Sequence, residues 1–158
     1  MSLAEILPEV PIVPDAVVFF EKSTQSEILD ALFNSVEESL ALLNLQEIKQ
    51  KILEREEVSS TCIGAQIAIP HAKVEGLDRF IMALGIHREG VEWGEADTDG
   101  VHLILLILGP DVDPIYYLNY LSSLTRRLKN HKLKEKLLGS NSAQEAFEIF
   151  KSEDKSWI

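Results

Sequence analysis

The chain has 158 residues, 46% of them hydrophobic and 26% charged, enough to bury a core without cofactor or disulfide support. Its formal net charge of −11 argues against nucleic acid and anionic membrane as principal partners, since both reward clustered Lys and Arg. The single cysteine, Cys62, excludes an internal disulfide, and no apolar run approaches membrane-spanning length. The start, "MSLAEILPEV", has neither a basic leader nor a small-residue cleavage site and reads as cytoplasmic, within a single domain over residues 1–158.

Charge is unevenly spread. Between Glu89 and Asp113 lie Glu92, Glu95, Asp97, Asp99 and Asp111 with no Lys or Arg, whereas Arg126 to Lys136 is basic. Each block reads first as solvated surface. The acidic one could also steer a basic protein partner.

In chain order, "AVVFF" (Ala16 to Phe20) is β-branched and aromatic and predicts a strand. Thr24 and Glu27 form a capping box, and Ile28, Leu29, Leu32, Phe33, Val36, Leu40 and Leu43 recur at helical spacing. Asn44 with Glu47 starts a second helix, running to about Arg55. After the segment "REEVSSTCIGAQIAIPHAK", "RFIMALGIHRE" predicts a strand and "GVEWGEADTDG" turns. "VHLILLILG" is nearly all apolar, the pattern of a strand covered on both faces. Asp113 (N-cap) and Pro114 (N1) open a helix with Ile115, Leu118, Leu121, Leu124 and Leu128 expected inward. A short helix stopped by Gly139 and a last one boxed by Ser142 and Glu145 complete the chain. The order predicts an α/β fold, a three-layer helix/sheet/helix sandwich with a mixed sheet.

No G-x-S-x-G, no phosphate-cradling G-x-x-x-x-G-K-[ST] and no metal-ligand spacing among His71, His87, His102, His131 and Cys62 is present, so no cofactor or metal is expected. His87 and His102 lie in or beside apolar strands and read as satisfied core or edge histidines. His131, among lysines, reads as surface. His71 differs, because Pro70 before it lacks an N–H and should end or open the strand ladder there, leaving the ring at the rim of a sheet. A structural and a functional role are equally open on these grounds. A neutral imidazole can take a phosphoryl group and pass it on, given cationic and hydrogen-bonding groups around the oxygens. Arg55 and the run Ser59, Ser60, Thr61 supply those residue types. They could equally make an ion pair and a turn.

"REEVSSTCIGAQIAIPHAK" resembles the active-site segment of EIIA domains of the fructose/mannitol class of the bacterial sugar phosphotransferase system. "LAEILPE", "GVEWGEADTDGVHLILLILGP" and "YLNYLSSLTRRLKN" extend the resemblance from about Leu3 to about Phe150. As a stand-alone domain the chain is most similar to the nitrogen-regulatory branch. The resemblance implies a phosphocarrier in which His71 receives its group from an HPr-type (or NPr-type) protein. It places Arg55 at the phosphoryl oxygens, with Thr61 adding hydrogen bonds. The output would be a regulatory target protein, or a permease in the sugar-transport reading. A third reading keeps the fold as a binding module with weakened transfer. Two departures from the family pattern stand out. Tyr117 occupies the position of a second active-site histidine, and Ser59, Cys62 and Gln66 stand where the family often has glycine. Any of these held at positive φ would strain the loop.

Overall fold

The computed structural model describes residues 16–40, 44–58, 62–64, 66–77, 79–93, 100–111 and 113–151. Within them the strands are β1 (Val17–Phe20), β2 (Cys62–Gly64), β3 (Ile67–Ala68), β4 (His71–Val74), β5 (Ile81–Val91) and β6 (Val101–Pro110). The helices are α1 (Gln25–Ser35), α2 (Leu45–Val58), α3 (Pro114–Leu128), α4 (His131–Leu138) and α5 (Ala143–Lys151). The expected mixed sheet is present, in the order β1-β5-β6-β3-β2, with β4 also on β6. β5 and β6 are antiparallel, while β1 on β5 and both β3 and β4 on β6 are parallel.

β6 is the centre of the fold. Leu103 to Leu108 are 0% exposed, as expected for a strand covered on both faces. Each such side chain contributes about 1.5–3 kcal/mol of transfer free energy. The two helical layers can be assigned from neighbouring positions of β5. Gly85 faces Leu32 of α1, and a Cβ there would lie 3.5 Å from Leu32 Cδ2. Arg88 projects from the opposite face, where its guanidinium donates to the carbonyls of Leu138, the last residue of α4, and of Ser140 just beyond it.

The capping signals are realised. Thr24 Oγ1 accepts from Glu27 N and Glu27 Oε1 accepts from Thr24 N. Asn44 Oδ1 accepts from Glu47 N, and Asp113 Oδ1 accepts from Ile115 N and Tyr116 N. The first helix is shorter than its apolar spacing suggests: it stops at Ser35, a 3-10 turn covers Glu37–Leu40, and Leu43 lies outside the described residues. The opening "LAEILPE" lies outside them too.

Three expectations are corrected. On α3, Ile115 is 70% and Leu118 62% exposed; the buried face is Tyr117, Tyr120, Leu124, Arg127 and Leu128. This helix has apolar residues on both sides, and packing selects the aromatic one, where Tyr120 stacks on Phe80 with centroids 3.6 Å apart. Arg127 in turn is not surface: it is buried, its guanidinium carbon 6.0 Å from the centre of the Phe150 ring. His87 is buried, but neither ring nitrogen has a hydrogen-bond partner among the described residues, so it is not a satisfied core histidine. His102 is satisfied, its Nδ1 2.9 Å from the His87 carbonyl. His131 pairs with Glu135 at the surface, as expected.

A buried polar ring that bonds nothing costs desolvation with no return. His87→Leu should therefore raise the free energy of unfolding by about 1 kcal/mol, or leave it unchanged. Urea denaturation checks this, and a clear loss of stability would reveal a missing partner.

Candidate functional site

The segment "IAIPHAK" runs along one side of β6 in two pieces. Ile67 and Ala68 pair with Leu103 and Ile104 as β3. Ile69 and Pro70 interrupt the ladder, and His71 to Val74 then pair with Ile107 to Pro110 as β4. Pro70 opens the ladder without ending it, because its carbonyl still accepts from Ile107 N at 3.0 Å. His71 is therefore held in register with Ile107, on a strand that among the described residues pairs on one side only, and is half-buried.

The His71 ring is oriented from within its own segment. Nδ1 lies 2.7 Å from the carbonyl oxygen of Ile69. A carbonyl only accepts, so Nδ1 carries the proton and Nε2 of the neutral ring carries the lone pair. The imidazole thus has one nitrogen committed to the backbone and one available for chemistry.

Strand alternation places Lys73 on the same face as His71. Opposite Lys73 in the register is Gly109 of β6. A Cβ at Gly109 would come within 2.5 Å of the Phe80 ring and 2.6 Å of the Tyr117 ring. The missing side chain lets α3 settle close to the sheet, and Tyr117 comes down between the two β4 residues. Its ring centre is 6.4 Å from that of His71 and 5.1 Å from Lys73 Nζ. Tyr117 is 6% exposed and its hydroxyl has no hydrogen-bond partner among the described residues. Burial pushes its pKa up to about 12, so at neutral pH it is an uncharged ring.

Of the four residues expected at the site, the structure brings His71 and Tyr117 together. Arg55 lies in the last turn of α2, exposed, on a helix whose body packs along β4. Thr61, with Ser59 and Ser60, lies outside the described residues. The strain expected from a missing glycine falls on Gln66, whose φ is +66°. Its carbonyl accepts from His102 N at 2.8 Å and Leu103 N at 3.3 Å, which holds the residue in the left-handed region. Lys73, two residues beyond His71 on β4, carries no motif of its own; its place at the site comes from the register of β4 on β6. No cluster of three or more His, Cys, Asp or Glu able to hold a metal is present among the described residues. No described helix is long and apolar enough to cross a membrane.

His71 is thus a half-buried histidine with one ring nitrogen bound to the backbone, on a mixed sheet between two helical layers. The family described as "Phosphoenolpyruvate-dependent sugar phosphotransferase system, EIIA 2" matches residues 12–153, and the chain belongs to it. The chain is 30% identical over 135 residues to the fructose-specific EIIABC component of Bacillus subtilis, covering 85% of this chain and 21% of that protein. It is 34% identical over 93 residues to the fructose-specific EIIA component of Haloferax volcanii, 59% of this chain and 60% of that one. The chain thus spans less than two thirds of these relatives. A nitrogen regulatory protein of Bradyrhizobium diazoefficiens is 26% identical over 106 residues, 67% of this chain and 69% of that one. In fold, the chain is similar to nitrogen regulatory protein IIA-Ntr of Neisseria meningitidis, with TM-score 0.78, 24% identity and coverage of 89% and 96%. It is also similar to IIA mannitol of Escherichia coli, with TM-score 0.69, 24% identity and coverage of 86% and 96%.

The buried Tyr117 hydroxyl has a signature in alkali. Its pKa in the folded chain, about 12, lies above the ordinary tyrosine value of 10.0. Between those values the unfolded chain loses the proton and the folded chain keeps it, so stability falls as pH rises through that window. Tyr117→Phe should flatten this fall and be at least as stable at neutral pH, because the hydroxyl it removes is unpaired. Chemical denaturation at pH values through the window checks both.

Proposed function

We propose that this protein is a phosphocarrier of the phosphoenolpyruvate-dependent phosphotransferase system. It accepts a phosphoryl group on His71 from the phosphohistidine of an HPr-type carrier protein. The observation that carries this reading is the bond from Nδ1–H to the Ile69 carbonyl, which leaves Nε2 as the nucleophile. The Nε2 lone pair forms the new N–P bond while the donor's P–N bond breaks, and the donor ring keeps that electron pair. Nδ1 retains its proton throughout. The phosphorylated ring is then an imidazolium, whose charge the Ile69 carbonyl supports and which leaves readily when the group is passed on. In this reading Arg55 faces the phosphoryl oxygens from the end of α2 and Thr61 adds hydrogen bonds. Tyr117 is the neutral wall of the site. No metal or nucleotide enters, because donor and acceptor are both protein imidazoles.

The output we assign is regulatory, in the manner of the nitrogen regulatory relatives. A fructose- or mannitol-type IIB domain should then leave the label on this protein; its passing quantitatively to such a domain would establish the sugar-transport role instead. The tyrosine at position 117 favours a second reading, a binding module with weak transfer. A neutral ring supplies no positive charge to the phosphoryl group. In that reading Tyr117→His raises transfer sharply from a low base, and affinity for a partner is the same in wild type and His71→Ala.

The decisive assay combines the protein with phosphoenolpyruvate, the first enzyme of the system and an HPr-type carrier. One acid-labile phosphate per chain is expected, and none in His71→Ala. Label that survives this substitution overturns the assignment.

Transfer between two proteins also needs a docking surface. Ile115, Tyr116 and Leu118 are 70%, 58% and 62% exposed on the first turns of α3, flanking Tyr117. Apolar side chains gathered at a protein surface mark contact sites. Ile115→Ser with Leu118→Ser should slow transfer from the carrier about tenfold or more, the loss of roughly one buried side chain's worth of binding. Folding stability should change little, because both side chains are exposed. Transfer at the wild-type rate would place the donor elsewhere.

A further inference from the structure

Resting on the assignment of the phosphoryl group to His71, we propose that Lys73 is a charge partner of that group: its ammonium leaves the Tyr117 ring and pairs with the phosphoryl oxygens on Nε2. Three independent features converge on it. Alternation along β4 puts residues 71 and 73 on one face. The register sets Lys73 opposite Gly109, the position without a side chain that lets the Tyr117 ring approach. The ammonium lies 5.1 Å from the centre of that same ring, which also lies 6.4 Å from the His71 imidazole and 5.7 Å from the Phe80 ring.

Lys73 makes no ion pair among the described residues, unlike Lys49, which pairs with Asp30. Its contact with the Tyr117 face is a cation–π interaction, worth about 0.5–1 kcal/mol at a site of this exposure. A charge-assisted bond from an ammonium to a phosphoryl oxygen is stronger than that. The ring is therefore a resting position from which the ammonium can be drawn. A phosphoryl group carries most of two negative charges in a half-buried site, where an uncompensated charge is costly. The neutral tyrosine contributes no positive charge. Lys73 supplies it from the same strand as the nucleophile, on a flexible stem with three donors.

The pairing is read most directly on the phosphate itself. The intact protein is labelled with phosphoramidate, a small donor that needs no carrier protein, and the phosphohistidine resonance is followed by phosphorus NMR as a function of pH. His71→Ala identifies the resonance by its loss. At neutral to alkaline pH, where the P–N bond survives, the group that titrates is the ring proton on Nδ1, and an ammonium that offsets the phosphoryl charge lowers the pH at which that proton leaves. Lys73→Met should raise this midpoint by about half a unit or more, and Lys73→Arg should return it close to the wild-type value. A merely structural role would not give this split between the two variants.

An unchanged titration in Lys73→Met overturns the pairing and leaves the phosphocarrier reading intact. In the converse outcome the carrier protein fails to label His71 while phosphoramidate labels it and Lys73→Met shifts the titration. The phosphocarrier reading then falls and the pairing stands. A resonance that survives His71→Ala, with none lost, overturns both.

Discussion

One hydrogen bond organises the site: the proton on Nδ1 of His71 rests on the carbonyl of Ile69, two residues back. That bond decides which nitrogen keeps its lone pair, and it exists because the chain between the two residues is neither a regular strand nor a free loop. Pro70 supplies this intermediate state. It cannot donate to the ladder, so the strand opens at Ile69, yet its own carbonyl still anchors to Ile107. A proline-free strand would have no reason to break there. A longer loop would lose the register that holds the ring against β6. The rigidity of the sheet is thus carried to within one residue of the His71 ring.

That rigidity has its source in β6, which pairs with three other strands and is buried on both faces. An element so placed cannot shift without disturbing both helical layers, because close-packed interiors transmit displacement instead of absorbing it. The site's chemical groups are all referred to it. His71 and Lys73 are in register with it, Gly109 belongs to it, and Tyr117 is seated through the gap Gly109 leaves. Exposure for partner access and immobility for in-line transfer are otherwise competing demands. In the proposed carrier they are met by hanging a short strand, paired on one side among the described residues, on a strand buried on both faces.

The sequence made much of this legible, for identifiable reasons. An apolar run such as Val101 to Leu108 leaves few alternatives to a central strand, and caps such as Thr24 with Glu27 and Asp113 with Pro114 announce helix starts to the residue. His71 could be singled out because the proline before it has a definite mechanical consequence. The inward face of α3 could not be read, because apolar residues lie on both of its sides. What decides between them is Phe80, distant in sequence, which takes the aromatic face and turns Ile115 and Leu118 outward. Nor could the position of Lys73 be read, since it depends on a strand register and on a glycine some thirty-six residues away, neither of which leaves a local mark. Local chemistry is written locally; juxtapositions made by pairing are not.

The same two-sidedness of α3 gives the helix its place in the function. Its inner face closes the site with an uncharged ring, and its outer face offers exposed apolar side chains beside the histidine. If Tyr117 carried a charge, the cost of burying it against Phe80 and the sheet would have to be met by a partner, and the hydroxyl has none among the described residues. A neutral ring avoids that cost in the resting state and moves the burden of charge onto a group that can stay partly in water. Lys73 meets that description: it is half-exposed, on a flexible stem, with its ammonium over the ring face, and a phosphoryl oxygen on His71 is its proposed second position. On this argument the tyrosine and the lysine are two halves of one solution, in which the fixed position beside the nucleophile is kept apolar and the cation is made movable.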